Sequence, residues 1–448
     1  VPQHELKGWK SFLGMYAGEH AAGTEFMIGP LFLASGVSAF DLIVGLLLGN
    51  LLAVLSWRFI TAPIAVRHRL SLYAQLEKIA GKRLVVMYNI ANGILFCALA
   101  GAMVTVSATA VGIPFQVDMP GLDEAFPKSS LWIGIVLLIG ILFTWIARMG
   151  YHSVAQAANW MSPIIALAFL ACGAVAIKQL DLRSLSDFWQ VWGDGGEAFP
   201  GQIKFGFWHV VIWSWCCNAA MHLGMADLSV FRYAKKASLA WATAAGMYLG
   251  HYMAWIAAAL LYAVYLRSPE AMEMMAGGQA PPVNPGSLAY QALGIFGAIA
   301  VVMAGWTTAN PTIYRAGLAF QSISSHWKRG TATLAAGVLA TVAGIFPAFA
   351  MKLLGFVAFY GFVLAPVGAI IFVQHYFGHK WHTPSHISFN KAILLAWALS
   401  VGIFYSLSTV NDIFLSFVIV PAWVLSGVLY ALFSRALFGK RMDQQPAT

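Results

Sequence analysis

Three stretches of this chain set polar and small residues inside long apolar runs, and their residue types could do chemistry. The first is Gly18-Glu19-His20-Ala21-Ala22-Gly23-Thr24-Glu25. A carboxylate or imidazole in such surroundings can accept from an amine, hold a cation or change protonation, and histidine titrates near neutral pH. Each carboxylate costs roughly 2.5–3.5 kcal/mol at bilayer depth even on the lenient insertion scale, which is tolerated where it faces a cavity, a partner or an ion. The flanking glycines let the backbone leave the helix, so that unwound carbonyls become ligands. An interhelical Glu–His or Glu–Arg pair that only pins helices together is the competing reading for Glu19 and for Glu25.

The second stretch is Trp213-Ser214-Trp215-Cys216-Cys217-Asn218-Ala219-Ala220-Met221-His222-Leu223-Gly224, preceded by Phe205, Phe207 and Trp208. Its rings could form a slot for a planar ligand or a cage for a cation. Lipid-facing tryptophan would give the same composition, and residues two apart on a helix do not share a face, so only some can line one pocket. The third stretch, Gly305-Trp306-Thr307-Thr308-Ala309-Asn310-Pro311-Thr312, offers adjacent hydroxyls beside a carbonyl that Pro311 frees near Thr307. Uncharged oxygens of this kind suit a hard cation such as Na+, although threonines in membrane helices also simply bond their own backbone.

The elements that position these stretches follow from composition. The 448 residues are 60% hydrophobic and 10% charged, with a mean hydropathy of +0.74, whereas soluble domains carry about 25% charged residues. Apolar windows bounded by charged or Pro/Gly clusters predict twelve spans, roughly at 9–36, 39–65, 84–111, 130–147, 153–177, 202–226, 238–266, 287–320, 331–350, 353–377, 391–408 and 413–438. The expected fold is therefore an all-α polytopic membrane protein of about 12 transmembrane helices. Breaks in both the first and the sixth span imply a five-plus-five inverted repeat. Residues 1–377 form the expected transport core, helices 1–5 at 9–177 and helices 6–10 at 202–377, and residues 378–448 carry helices 11–12 and a tail.

The net charge of +9 and pI near 9.3 are spread over short loops and form no stripe, which argues against nucleic acid as a partner. All of the 26 Lys and Arg except Lys128, Lys178, Arg183, Lys204, Arg267 and Lys352 fall on the side of the termini, Arg232 and Arg315 being counted there. The positive-inside rule then predicts cytoplasmic N- and C-termini in a cell (inner) membrane, with the bilayer and a small molecule as partners and no indication of oligomeric state. No cleavable signal peptide is expected, since the polar start leads into an apolar run too long for one. Cys97, Cys172, Cys216 and Cys217 have neither disulfide nor zinc spacing. A G-x-x-x-x-G-K-[ST] phosphate loop is missing, so an ion gradient must drive any pumping. His20, His209, His222 and His251 lie on different spans with no catalytic spacing, which predicts a non-enzyme. The set His375, His379, His382 and His386 is expected in a loop, a weak metal site being the alternative. Gly14-x-x-x-Gly18 and Gly45-x-x-x-Gly49 permit close helix packing within the bundle or across a dimer.

Trp306-Thr307-Thr308-Ala309-Asn310-Pro311-Thr312-Ile313-Tyr314-Arg315-Ala316-Gly317-Leu318 resembles the eighth-helix signature of the nucleobase:cation symporter family, the cytosine, purine, hydantoin and allantoin permeases. The start with Lys7-Gly8 and Gly18, the run Gly49-Asn50-Leu51-Leu52, and Pro366-Val367-Gly368 followed by Tyr376 are similar to the family's first, second and tenth helices. The resemblance implies a five-plus-five inverted-repeat core of the leucine-transporter-like kind with two further C-terminal helices, and alternating access driven by sodium or protons, with no other cofactor. It implies a sodium site between carbonyls of Gly18 and Ala21 on helix 1 and Ala304, Thr307 and Thr308 on helix 8. It further implies a planar ring held by Trp215 or Trp213, by Asn218 and Asn92, and by Glu19 or His20. Two departures stand out: Gln374-His375-Tyr376 replaces an Asp-Tyr pair, and Asp227 to Arg232 is longer than the family's Asp-to-Arg spacing. Glu19-His20 in the break favours an amino-substituted ring, or equally a compact organic cation caged by Trp and Glu.

Overall fold

The computed structural model describes the whole chain except residues 118, 119, 121–123, 128, 324, 325, 349–352, 382–387 and 439–448. Lys128, Lys352, His382 and His386 among the residues singled out above therefore lie outside the described residues. Eight of the described helices are long and apolar enough to cross a membrane, and they coincide with eight of the twelve expected spans. The others differ for local reasons. Spans one and six are broken into short helices, and the ninth, Arg329–Gly344, has 16 residues. The eighth starts as Pro285–Leu293, turns at Gly294 with φ of +59°, and continues as Ile295–Ile323.

The first span is α1 (Trp9–His20) followed by α2 (Glu25–Ala34). Ala21 leaves helical geometry at ψ of 63°, and a tight turn closes by Glu25 N–H donating to Ala22 O (3.1 Å) and Met27 N–H to Thr24 O (2.8 Å). The second span runs from α3 (Ala39–Ser56), capped by Ser38 accepting from Asp41 N–H at 3.0 Å, through a π turn at Trp57–Thr61 into α4 (Ala62–His68). After the short α5 (Leu72–Ala80) come α6 (Lys82–Gly112), α7 (Ser130–Met149) and α8 (Tyr151–Gln179). The sixth span is α9 (Phe207–Cys216), α10 (Ala219–His222) and α11 (Leu228–Phe231), separated at Cys217–Asn218 and at Leu223–Asp227, where Met225 takes φ of +62°. The seventh ends in α12 (Met253–Tyr265) after a π turn at Gly246–Tyr252. The remainder comprises α13 (Pro285–Leu293), α14 (Ile295–Ile323), α15 (Arg329–Gly344), α16 (Leu353–Phe377), α17 (Lys391–Val410) and α18 (Leu415–Phe438).

Packing follows the small residues. α1 lies along α8, α2 along α12, α3 along α9, and α6 along α14. Both glycine pairs are used inside the chain: a Cβ at Gly18 would meet Ala158 and Ser162 of α8 at 3.3 Å, and one at Gly45 would meet Val210 of α9 at 2.9 Å. The π turn of span seven sets Gly250 against α1, where a Cβ would come within 2.5 Å of the His20 carbonyl. Such approaches substitute for the hydrophobic drive that lipid cannot supply between helices. Outward residues such as Leu138, Ile141, Trp160, Leu167 and Leu432 are exposed, as a lipid-facing band requires. α17 and α18 pack on one another, and α18 also packs against α16.

Candidate functional site

Both interruptions converge on α14. Gly23 of the first break sits on it, its Cβ position 3.1 Å from Val301 O and 3.4 Å from Gly305 N, a clearance that a larger residue would close. The carbonyls of the last turn of α1 lack an intrahelical partner by construction, and Thr308 Oγ1 donates to one of them, Glu19 O, at 2.9 Å. The same hydroxyl lies 3.1 Å from Ala304 O, as does that of Thr307. Carbonyl and hydroxyl oxygens of helices one and eight are thus gathered within hydrogen-bond reach of each other.

Beside this junction lies a small cavity of about 80 Å³. Its wall includes Glu19, His20, Thr24, Glu25, Trp213, Asn218, His251, Trp255, Thr308, Thr312 and Tyr360. His251 stacks on Trp255 with ring centroids 4.2 Å apart, and Trp213 meets Trp255 edge-on at 5.4 Å. Trp213 also lines a larger vestibule of about 860 Å³, which opens between the loops around Phe199–Phe205 and Met274–Asn284, on the face opposite the termini. On the terminal face the chain is tied shut: Lys7 N–H donates to Tyr233 O at 2.7 Å, Arg69 Nη1 to Arg232 O at 2.8 Å, and Tyr73 Oη to Arg315 O at 3.3 Å.

The charged groups sort into two sets. Arg315, counted above with the terminal-side loops, is instead 4% exposed inside α14. Its guanidinium forks onto both Glu19 oxygens, Nη2 reaching Oε2 at 3.2 Å, and Nη2 also reaches Asp227 Oδ1 at 2.9 Å. Asp227 Oδ2 accepts from Tyr16 Oη at 2.6 Å and from Trp57 Nε1 at 2.8 Å. This network pins α1, α14 and the foot of span six together, and it shows that Asp227 takes Arg315 as its partner while Arg232 bonds Tyr233 Oη. Glu25 is equally buried but receives Trp255 Nε1–H, and no Lys or Arg pairs with it among the described residues.

Of the residues expected to bind a ligand, Glu19, His20, Trp213 and Asn218 reach the cavity wall. Asn92 and Trp215 do not. Asn92 lies one layer behind, donating to Tyr73 Oη and accepting from Tyr360 Oη, both at 3.0 Å. Trp215 faces α3, where its Nε1 donates to Ser56 Oγ at 3.0 Å, because it stands two residues from the inward Trp213 on the same helix. Trp208 is exposed, in keeping with a lipid-facing ring. Gly18, Ala21, Ala304, Thr307 and Thr308 are all buried around the α1–α14 junction. Among the histidines near the terminal face, His68 Nε2 and His375 Nδ1 share a hydrogen at 2.7 Å. From the sequence, Arg315, Asp227 and His251 are named without being placed in the site, and Trp255 is not named; an arginine inside predicted span eight is itself a signal of a buried carboxylate partner.

This is the fold of a class of membrane transporters. No protein-family model and no curated protein sequence matches the chain. Among solved structures, Mhp1, a nucleobase-cation-symport-1 family transporter in a closed conformation with bromovinylhydantoin bound, superposes with a TM-score of 0.72, covering 97% of this chain and 94% of that one at 15% identity. A Na+-coupled sialic acid symporter in a substrate-bound outward-open state gives 0.63 over 96% and 89% at 14% identity. MhsT in complex with L-phenylalanine gives 0.58 over 94% and 97% at 15% identity. The chain therefore shares the leucine-transporter-like architecture, the five-plus-five inverted repeat that its two broken spans imply.

Proposed function

We propose that this chain is a cation-coupled secondary transporter that carries a small planar nitrogen heterocycle, of the nucleobase type, by alternating access, with Na+ as the coupling ion. The observation that carries this reading is the Thr308–Glu19 carbonyl contact at 2.9 Å immediately beside an indole-lined cavity. In this reading the carbonyls of Gly18, Ala21 and Ala304 and the hydroxyls of Thr307 and Thr308 hold the ion, while His20, Trp213 and Asn218 contact the ring. Neutral oxygens at the end of a half-helix suit Na+ without adding charge. Glu19 acts as the carboxylate that Arg315 locks beside the ion, and Asn92 steadies the wall through Tyr360. Residues 1–377 are the transport core in this account, and the termini face the cytoplasm of a cell whose (inner) membrane holds the protein. The vestibule on the far face is the entry path, and the Lys7, Arg69 and Tyr73 contacts are the closed gate.

Reconstitution into liposomes tests this reading. Uptake of radiolabelled cytosine and hydantoin should require an inward Na+ gradient and saturate with substrate. Uptake that follows a proton gradient with no Na+ requirement assigns the coupling to H+; the absence of gradient-driven uptake for any ring contradicts the proposal.

A further inference from the structure

The cavity wall is unequal in what it offers a ligand. Thr308 gives its hydroxyl hydrogen to backbone carbonyls, Thr312 gives its own to Thr308 O at 2.7 Å, and Tyr360 gives its own to Asn92 Oδ1, so each turns only lone pairs inward. His20 Nδ1 lies 2.9 Å from Tyr16 O; a carbonyl can only accept, so the hydrogen is on Nδ1. Its Nε2 is buried and has no hydrogen-bond partner among the described residues. The wall groups left with a hydrogen to give, Trp213, Thr24, Cys217 and the Asn218–His251 pair, are all neutral. The cavity wall thus offers acceptors and neutral donors, and no Lys or Arg lines it among the described residues.

Its one carboxylate without a cationic partner stands at a telling place. Glu25 is the first residue of α2, and a helix N-terminus carries about half a positive charge. In transporters built this way the N-termini of half-helices point at the anionic group of a substrate. Here the chain places a carboxyl group of its own at that position, and Trp255 fixes it through an indole N–H. Glu19 cannot play this part, because both of its oxygens are engaged by Arg315.

We propose that Glu25 reads the ligand's charge. The site takes a small planar ring carrying a positive charge on an N–H-bearing edge, an aminopyridinium- or amidinium-type cation, with the N–H edge on Glu25 and His20 Nε2 and the ring against Trp213. It excludes carboxylates. This rests on the transporter reading above and narrows the ligand of that same site.

The test is isothermal titration of the purified full-length protein in Na+ buffer with 4-aminopyridinium, uracil and orotate, in wild type and in Glu25→Gln. The expected result is that 4-aminopyridinium binds about tenfold or more tightly than uracil, the scale of a charge-assisted bond. Orotate should not bind detectably, and Glu25→Gln should lose at least about tenfold for the cation while uracil changes less than about threefold. Uracil or orotate binding as tightly as the cation to wild type overturns the role of Glu25 while leaving the transporter reading standing. An unchanged cation preference in Glu25→Gln does the same. Failure of every ring to bind overturns both readings. The wild-type comparison decides the question even where Glu25→Gln fails to fold.

Discussion

Glu19 and Glu25 stand at the two ends of one break, equally buried, yet they are held in opposite ways. Glu19 ends α1 and is clasped by Arg315, which also holds Asp227. Glu25 begins α2 and, among the described residues, receives neutral donors, the Trp255 N–H and the Ala22 backbone, together with the N-terminal helix field. The difference teaches that intramembrane charge by itself does not mark a binding group. A carboxylate whose lone pairs are spent on an arginine is a fastener between helices. One left facing a cavity with a neutral donor still has attraction to offer a cation.

The largest effect that would sharpen this contrast is expected at Arg315. Arg315→Met strands two buried carboxylates, and breaking a buried ion pair from one side typically costs about 3–5 kcal/mol. Thermal unfolding in detergent should show a collapse in yield or melting temperature; retention of wild-type stability would mean that the network is not a fastener. Glu19→Gln keeps a hydrogen-bonding side chain and should cost less, about 1–3 kcal/mol, with the loss again read in stability. Trp255→Phe removes the one side-chain donor to Glu25 among the described residues, while leaving the carboxyl in place. It should lower stability by about 1–3 kcal/mol and alter ring affinity, whereas an unchanged affinity would place the ligand away from Glu25. Trp215→Phe is expected to have the smallest effect: loss of the Ser56 bond, about 1 kcal/mol, with ligand affinity untouched. A large affinity loss there would put Trp215 back in the pocket wall.

Much of this arrangement was legible in the sequence. Hydropathy set the spans to within a few residues, as at 353–377 and 391–410, because each must cross the same apolar layer. The breaks at Gly18–Glu25 and near Asn218 were legible because glycine and polar residues interrupt otherwise apolar runs. An interhelical Glu–Arg pair is the competing reading for Glu19 in the sequence, but its partner is not legible there, since Arg315 is far off in the chain and meets Glu19 only through the packing of α1 on α14. Arg315 counts with the charges on the side of the termini in the sequence reading because basic residues cluster at membrane edges, although the span at 287–320 places it inside. The division of labour between Trp213 and Trp215 depends on helix rotation, which composition does not carry and which a two-residue offset reverses.

Under the proposed function, helices one and eight share a sodium ion that favours the ligand-bound state. The most direct measurement is ring affinity in NaCl against KCl for the wild type and for the Thr307→Ala, Thr308→Ala double variant. The account predicts affinity about tenfold higher in Na+ for the wild type and no difference between the salts for the double variant. A double variant that keeps the full Na+ enhancement would contradict it.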